Sequence, residues 1–406
     1  MMTPRPVCQS IRPALAALLL AACAGLAQTP DFSAPGRFAT AWRTVDIQGA
    51  SELMRGSRIY YPDSAGAFPG SAAPAPIVVF GHGWQMGIDR YYSYAGHLAS
   101  WGYVVVLPTI SSPLIKPEHY ARARLMIDAA RFTAGLDTTP GDRFFGLLDR
   151  WNWGFAGHSM GGGLAMLAAD TFGLYDTLRV AVAIQSPQTS PPAHGAHVLQ
   201  PRLVLAGGTD NIAPWNEVRA AYWQGSCPPG TFAVIHGANH GRAMDFSSFW
   251  ENGGTATITR ETQQRIIRRL LTAFLERYQH GDSSDWNQSY TYGDSVRKNP
   301  DFDSVEVLPP VAVATSFVDV VGRLESGPNP VRNRALIRYG VARPGHVSLA
   351  VYDVQGKLIS RLVFASGPAG ARTIVWKPDA ALPDGAYIMR LTAGIQSVMR
   401  KLAVSH

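Results

Sequence analysis

Gly157-His158-Ser159-Met160-Gly161-Gly162-Gly163 places a serine inside Gly-x-Ser-x-Gly, directly after the apolar run Trp153-Gly154-Phe155-Ala156. An apolar strand turning through glycines into a helix holds the serine hydroxyl exposed above a sheet, and the next backbone N–H then faces the reacting oxygen. The stretch reads as a nucleophile elbow, and ester hydrolysis is the chemistry it implies. Alone it is weak, because a chain with 40 glycines produces the pattern readily by chance. Its surroundings make the case.

Upstream, Ala75-Pro-Ile-Val-Val-Phe80 is a short β-branched run that opens into Gly81-His82-Gly83-Trp84, the form of a buried parallel strand feeding a glycine-rich loop. Such a loop can supply a second oxyanion N–H. Downstream, Arg202-Leu-Val-Leu-Ala206 precedes Gly207-Gly208-Thr209-Asp210, and Thr231-Phe-Ala-Val-Ile235 precedes His236-Gly237-Ala238-Asn239-His240-Gly241. Ser159, Asp210 and His240 follow one another in the chain order of an α/β-hydrolase, each just past the carboxyl end of an expected strand, where open α/β sheets place their ligands. His236 is the rival histidine, but it lies at the strand terminus. Asp176 and Asp245 are rival acids and read as solvated surface positions. His158 reads as a packing group and His82 as loop structure. The separations of 51 residues from Ser159 to Asp210 and 30 from Asp210 to His240 leave room for sheet and helices but not for a lid domain. The expected fold is α/β, an α/β-hydrolase with a mostly parallel sheet flanked by helices and an open cleft. The loop from Ser186 to His194 is expected at its rim.

At these residues the chain resembles the cutinase-like polyester hydrolases, within the wider group that includes chlorophyllase-like and dienelactone-hydrolase-like enzymes. The elbow is the nearest match; Asp210-Asn-Ile-Ala-Pro214 resembles the acid segment and Gly237-Ala-Asn-His240 the histidine loop. His97-Leu-Ala-Ser-Trp-Gly-Tyr-Val-Val-Val106 resembles a helix and the second core strand, and the likeness runs from about residue 37 to 280. It implies Ser159 as nucleophile, His240 as base, Asp210 as orienting acid, and the N–H groups of Trp84 and Met160 as the oxyanion hole. Trp84 and Ile212 are the implied substrate contacts, and neither metal nor organic cofactor is implied. Two features depart from the resemblance. Polyester-degrading members carry a tryptophan after the strand between elbow and acid, whereas here Val180-Ala-Val-Ala-Ile184 runs into Gln185-Ser186-Pro187. Many members also close the domain with a disulfide, but beyond the leader this chain keeps at most Cys227 and Cys23.

Residues 1–27 carry Arg5 and Arg12, the apolar run Ala14–Ala22, and small residues up to Ala27, the pattern of a secretory signal peptide. Leu20-Ala21-Ala22-Cys23 also fits a lipoprotein cleavage box, so a lipid anchor on Cys23 is the alternative to ordinary cleavage. The catalytic domain is expected over 28–300, ending in a helix at about 260–279 with Ile267, Leu271, Phe274 and Tyr278 on one stripe and Arg265, Arg268, Arg269 and Glu276 opposite. A linker over 301–323 follows, and residues 324–406 alternate in short runs between Gly and Pro turns, the pattern of a small all-β sandwich. Asn329-Pro330, Val351-Tyr-Asp-Val-Gln-Gly356, Gly385-Ala-Tyr387 and Arg400-Lys-Leu402 resemble the C-terminal sorting domain read by the type IX secretion system. That likeness implies the secretion machinery as a partner and a location outside the cell, or on the outer surface, of a Gram-negative bacterium; a surface-binding sandwich is the other reading.

The formal charge of +7 rests on 31 Arg and 5 Lys with no run of five basic residues, which speaks against a nucleic-acid partner. A monomer is expected. The leading expectation is a secreted serine carboxylic ester hydrolase of cutinase or polyesterase type working through an acyl-enzyme. A lipase or small-ester hydrolase of the same fold is the first alternative, and a non-catalytic surface-binding protein on a hydrolase scaffold the second.

Overall fold

The computed structural model describes residues 30–406 apart from 113–117, 173, 175–176, 227, 249–250, 311–320, 342–344, 368–369, 394–395 and 406. The expected signal peptide, Cys23, Cys227 and Asp176 lie outside the described residues, as does the middle of the expected linker.

Nine strands form one sheet. They are β1 (Ala39–Gln48), β2 (Leu53–Asp63), β3 (Ala75–Gly81), β4 (Val104–Leu107), β5 (Leu148–His158), β6 (Leu178–Ile184), β7 (Arg202–Gly207), β8 (Gly230–Ile235) and β9 (Phe302–Leu308), in the spatial order β1-β2-β4-β3-β5-β6-β7-β8-β9. The six strands from β4 across to β8 pair in parallel, and antiparallel neighbours close both ends. Every residue of β3 is buried, because a parallel sheet covered on both faces leaves neither side of a strand to water. Side chains alternate between the two faces. Ile77, Val79, Val104 and Val106 enter one core with Leu125 and Met126 of α2 (His119–Leu136) and Leu164 and Met166 of α3 (Met160–Thr171). Val78, Phe80, Val105 and Leu107 enter the other with Leu98 of α1 (Tyr92–Ser100) and Ile267, Leu270 and Leu271 of α5 (Arg260–Leu275). The short α4 (Trp215–Tyr222) follows β7, and α6 (Asp285–Thr291) and α7 (Asp294–Arg297) precede β9.

Three expectations need correction. Residues 302–308 are not linker: they pair antiparallel with β8 as the ninth strand, satisfying an edge that would otherwise present unpaired backbone groups. The terminal helix begins where expected, with the Thr259 hydroxyl capping the N–H of Thr262, but its α-helical part stops at Leu275. A π-turn over Glu276–His280 continues it to Gly281, whose φ of 78° ends the segment. Arg269 is not on a solvated face; it is buried with its guanidinium 2.8 Å from Asp301, just before β9.

Beyond residue 320 the regular structure among the described residues is all β. A three-stranded sheet, β10 (Val321–Gly327), β11 (Ala335–Val341) and β14 (Gly370–Trp376), accompanies a four-stranded sheet, β13 (Leu358–Gly367), β12 (Gly345–Asp353), β15 (Gly385–Ala393) and β16 (Gln396–Val404). Along β11, Ala335, Ile337, Tyr339 and Val341 are buried while Leu336 and Arg338 are exposed. The inward set shares a core with Leu349, Val351, Met389, Leu391 and Leu402, as two sheets packed face to face require. Among the described residues no helix is long and apolar enough to cross a membrane.

Candidate active site

The chain runs from β3 outward to β4 and then returns to β5 on the other side of β3, so the order of strands reverses between β3 and β5. A crevice opens at the carboxyl ends of such a pair. The Gly81–Trp84 loop leaves β3 there, and Ser159 leaves β5 beside it.

Ser159 is the single residue between β5 and α3, with φ 55° and ψ −125°. A side chain rarely adopts this conformation, and it persists only where the surroundings enforce it. Close packing enforces it here. A β-carbon on Gly161 would lie 2.1 Å from the carbonyl oxygen of Gly81, and one on Gly157 would lie 2.4 Å from the carbonyl carbon of Gly161. The elbow glycines therefore let α3 press against the ends of β3 and β5. The Ser159 N–H donates to the Ile184 carbonyl at 2.9 Å, tying the turn to β6. Met160 begins α3, whose N-terminal N–H groups and helix dipole favour negative charge at the turn.

Asp210 follows β7 and is buried. Its Oδ1 accepts the backbone N–H groups of Ile212 and Ala213, both at 2.9 Å. Its Oδ2 accepts Gln185 Nε2 at 3.0 Å and His240 Nδ1 at 2.8 Å. A carboxylate only accepts, so His240 carries its proton on Nδ1 and the neutral ring keeps its lone pair on Nε2. His240 is also buried, and its ring centroid lies 4.5 Å from that of His158, the residue before Ser159. The fold thus places Ser159, Asp210 and His240 past the carboxyl ends of β5, β7 and β8, with Asp210 and His240 directly bonded. His236 does not join them. It is exposed and pairs with Asp303 at 2.6 Å. Asp245 is engaged rather than solvated: it accepts the Ser93 N–H at 2.9 Å, the Ser93 hydroxyl, and Gln264 Nε2 at 3.2 Å. It fastens the histidine loop to α1 and α5.

Trp84 and Ile212 are exposed apolar residues, each at 42%. Ile212 borders the histidine: a β-carbon on Gly253 would fall 2.6 Å from Ile212 Cδ1 and 2.7 Å from His240 Cβ. Gln185 occupies a different position from an exposed aromatic. It is fully buried at φ 48°, and its Nε2 donates both to Asp210 and, at 2.9 Å, to the Asn239 carbonyl. Gln263 Nε2 donates to Gln185 Oε1 at 3.1 Å and to the same carbonyl at 2.7 Å, so a buried amide network joins the acid loop, the histidine loop and α5. Sequence reasoning missed these roles; the one available signal was a polar residue placed directly after the run Val180–Ile184.

Two buried histidines complete the surroundings. His158 Nδ1 lies 3.0 Å from Tyr91 Oη. Burial holds its imidazole well below the usual histidine range, and the adjacent His240 pushes the same way. Burial likewise lowers His82, and it raises the Tyr91 phenol.

A mostly parallel sheet with helices on both faces, and a strained serine elbow, an acid loop and a histidine loop past the carboxyl ends of β5, β7 and β8, define an α/β-hydrolase. The strands that follow form a β-sandwich. The chain belongs to the PET hydrolase-like family, whose model matches residues 31–247, just over half of its length. A second model, the secretion system C-terminal sorting domain, matches residues 328–405. No individually curated protein matches the chain. The protein is accordingly a polyesterase-like hydrolase joined to a sorting domain for secretion.

Proposed function

We propose that the protein is a secreted serine carboxylic ester hydrolase that works through an acyl-enzyme, with Ser159, His240 and Asp210 as its triad. The observation that carries this reading is the Asp210 Oδ2 to His240 Nδ1 bond of 2.8 Å beside the strained Ser159 elbow. Neutral serine is a poor nucleophile. His240 Nε2 accepts the Ser159 proton as Oγ adds to the ester carbonyl carbon, and Asp210 holds the ring in the required tautomer and stabilises the imidazolium. The carbonyl oxygen becomes an oxyanion facing the N–H groups of Met160 and Trp84. The imidazolium then returns the proton to the departing alkoxide, leaving acyl-Ser159 and a free alcohol. Water repeats the sequence: His240 takes its proton, the acyl bond to Oγ breaks, and the carboxylic acid leaves with Ser159 restored. One preorganised oxyanion donor contributes about 10²–10³ in turnover in such sites.

Trp84 and Ile212, exposed beside the site, suit an apolar or polymeric ester better than a small polar one, since exposed apolar surface gains most from an apolar partner. The sorting domain supports export through the type IX system and action outside the cell or at its surface. The test is hydrolysis of p-nitrophenyl butyrate by the purified protein beside Ser159→Ala. We expect a burst of p-nitrophenol stoichiometric with enzyme and loss of both burst and turnover in the variant. Equal rates in the two proteins would refute the nucleophile.

A further inference from the structure

Both backbone groups of Gly83 end on buried side chains to which the scheme above gives no part. Its N–H donates to Tyr91 Oη at 3.0 Å, and its carbonyl accepts from His82 Nδ1 at 2.8 Å and, on its second lone pair, from the Met86 N–H at 3.1 Å. Across the same ring, the Ile110 N–H donates to His82 Nε2 at 3.0 Å. An amide N–H can only donate and a carbonyl can only accept, so this pair of partners selects one state of the imidazole: neutral, with its proton on Nδ1. A protonated ring would set two N–H groups against each other at Ile110.

The geometry extends to the neighbouring peptide. The bond from Gly83 to Trp84 is not among the cis peptides of the chain, so its carbonyl and the Trp84 N–H point in opposite directions across one plane. Whatever holds the carbonyl also aims the N–H. Gly83 lies against the nucleophile, since a β-carbon on it would come 3.4 Å from Ser159 Cβ. The Tyr91 hydroxyl, which accepts the Gly83 N–H, is also hydrogen-bonded to His158 Nδ1 at 3.0 Å, which fastens the loop to the elbow from the opposite side.

We propose that His82 is a positioning residue for the oxyanion hole: its Nδ1–H, by holding the Gly83 carbonyl, fixes the plane of the Gly83–Trp84 peptide and directs the Trp84 N–H at the developing oxyanion. This rests on the proposed hydrolase function and on Trp84 as one of its donors. A purely structural role, fastening the loop to Ile110, would depend on Nε2 instead, and the two roles separate chemically. In His82→Asn the side-chain amide nitrogen falls near the Nδ1 position and keeps a donor for the Gly83 carbonyl while the Ile110 partner is lost. In His82→Gln the amide oxygen reaches the Nε2 position, keeps the acceptor for Ile110 and loses the donor to Gly83.

The experiment compares kcat and KM for p-nitrophenyl butyrate in the full-length wild type, His82→Asn, His82→Gln and Ser159→Ala, with Tm measured for each. We expect His82→Gln to lose about 10²-fold in kcat with KM little changed, the signature of a lost transition-state interaction. His82→Asn should retain at least tenfold more kcat than His82→Gln, at similar Tm. Equal losses in both variants, or wild-type kcat in His82→Gln, overturn the proposal. Should neither variant fold, the ¹⁵N spectrum of histidine-labelled wild type at pH 7 decides: a neutral Nδ1–H ring at His82 is required, and an Nε2–H tautomer or an imidazolium overturns it. Collapse of activity in Ser159→Ala tests the hydrolase reading independently, so failure of the positioning role and failure of the function give different results.

Discussion

Gly161→Ala is the substitution whose consequence the structure fixes most closely. The added methyl would lie 2.1 Å from the Gly81 carbonyl oxygen and 2.2 Å from its carbon, both backbone atoms. An ordinary contact is about 3.4 Å or more, so α3 and the end of β3 must part by roughly 1.3 Å, and no side chain can rotate to absorb the clash. Overpacking of this kind costs about 1–3 kcal/mol, and each kcal/mol lowers Tm by about 2–4 °C in a domain of this size. The functional cost should be larger in proportion. Gly81 begins the oxyanion loop and Gly161 follows Met160, so the same displacement separates the two proposed donors, and a shift of about 1 Å in a catalytic array costs on the order of 10²-fold. Gly163→Ala is the internal control. Its methyl would meet Thr189 Cγ2 at 2.8 Å and Tyr222 Oη at 3.0 Å, both side-chain ends that can move. Steady-state hydrolysis of p-nitrophenyl butyrate and thermal melts of both variants are the assay. Wild-type kcat/KM and Tm in Gly161→Ala, or equal losses in the two variants, would refute the claim that this contact sets the oxyanion geometry.

Three further outcomes are expected. Asp210→Asn should lower kcat by about 10⁴ with Tm within a few degrees, because an amide can donate to His240 Nδ1 and favour the wrong tautomer; retention of a tenth of wild-type activity would contradict the assignment. Trp84→Ala keeps the backbone N–H and removes the exposed ring, so KM for a long-chain p-nitrophenyl ester should rise roughly tenfold, about 1.4 kcal/mol, with kcat held; a large fall in kcat instead would give the ring a different role. The histidines predict a pH dependence of stability. His82 and His158 are held below the usual value by burial. As pH falls below about 6.5 the unfolded chain therefore takes up protons that the folded protein refuses, and each group removes up to about 1.4 kcal/mol per pH unit until its own folded pKa is reached. Tm should fall between pH 6.5 and 5, less steeply in His158→Asn, and neither group contributes a slope above pH 7.5. An identical slope in wild type and variant would contradict the buried neutral His158.

Much of this protein was legible from local pattern. Periodicity and turn chemistry act over a few residues, so the fully apolar β3, the glycine elbow and the alternating runs of the C-terminal sandwich declare themselves without partners. The placing of Ser159, Asp210 and His240 past three strand ends was equally readable, because parallel strands carry their chemistry at their carboxyl ends. Other features depend on what the sheet brings together. Residues 302–308 read as linker until β8 supplies an unpaired edge for them. Arg269 reads as a solvated charge until Asp301, 32 residues away, closes the ion pair. Gln185 and His82 carry no local sign of their tertiary contacts, since Gln185 is held by Asp210 and Asn239, and the His82 tautomer that donates to Gly83 is selected by the distant Ile110 N–H. The sequence by itself determined which segments become strands, the elbow and the domain order, because those follow from short-range sterics and burial. Only the tertiary structure decided which polar groups hold the acid and the oxyanion loop, because a buried hydrogen bond is chosen by the partner that three-dimensional packing delivers.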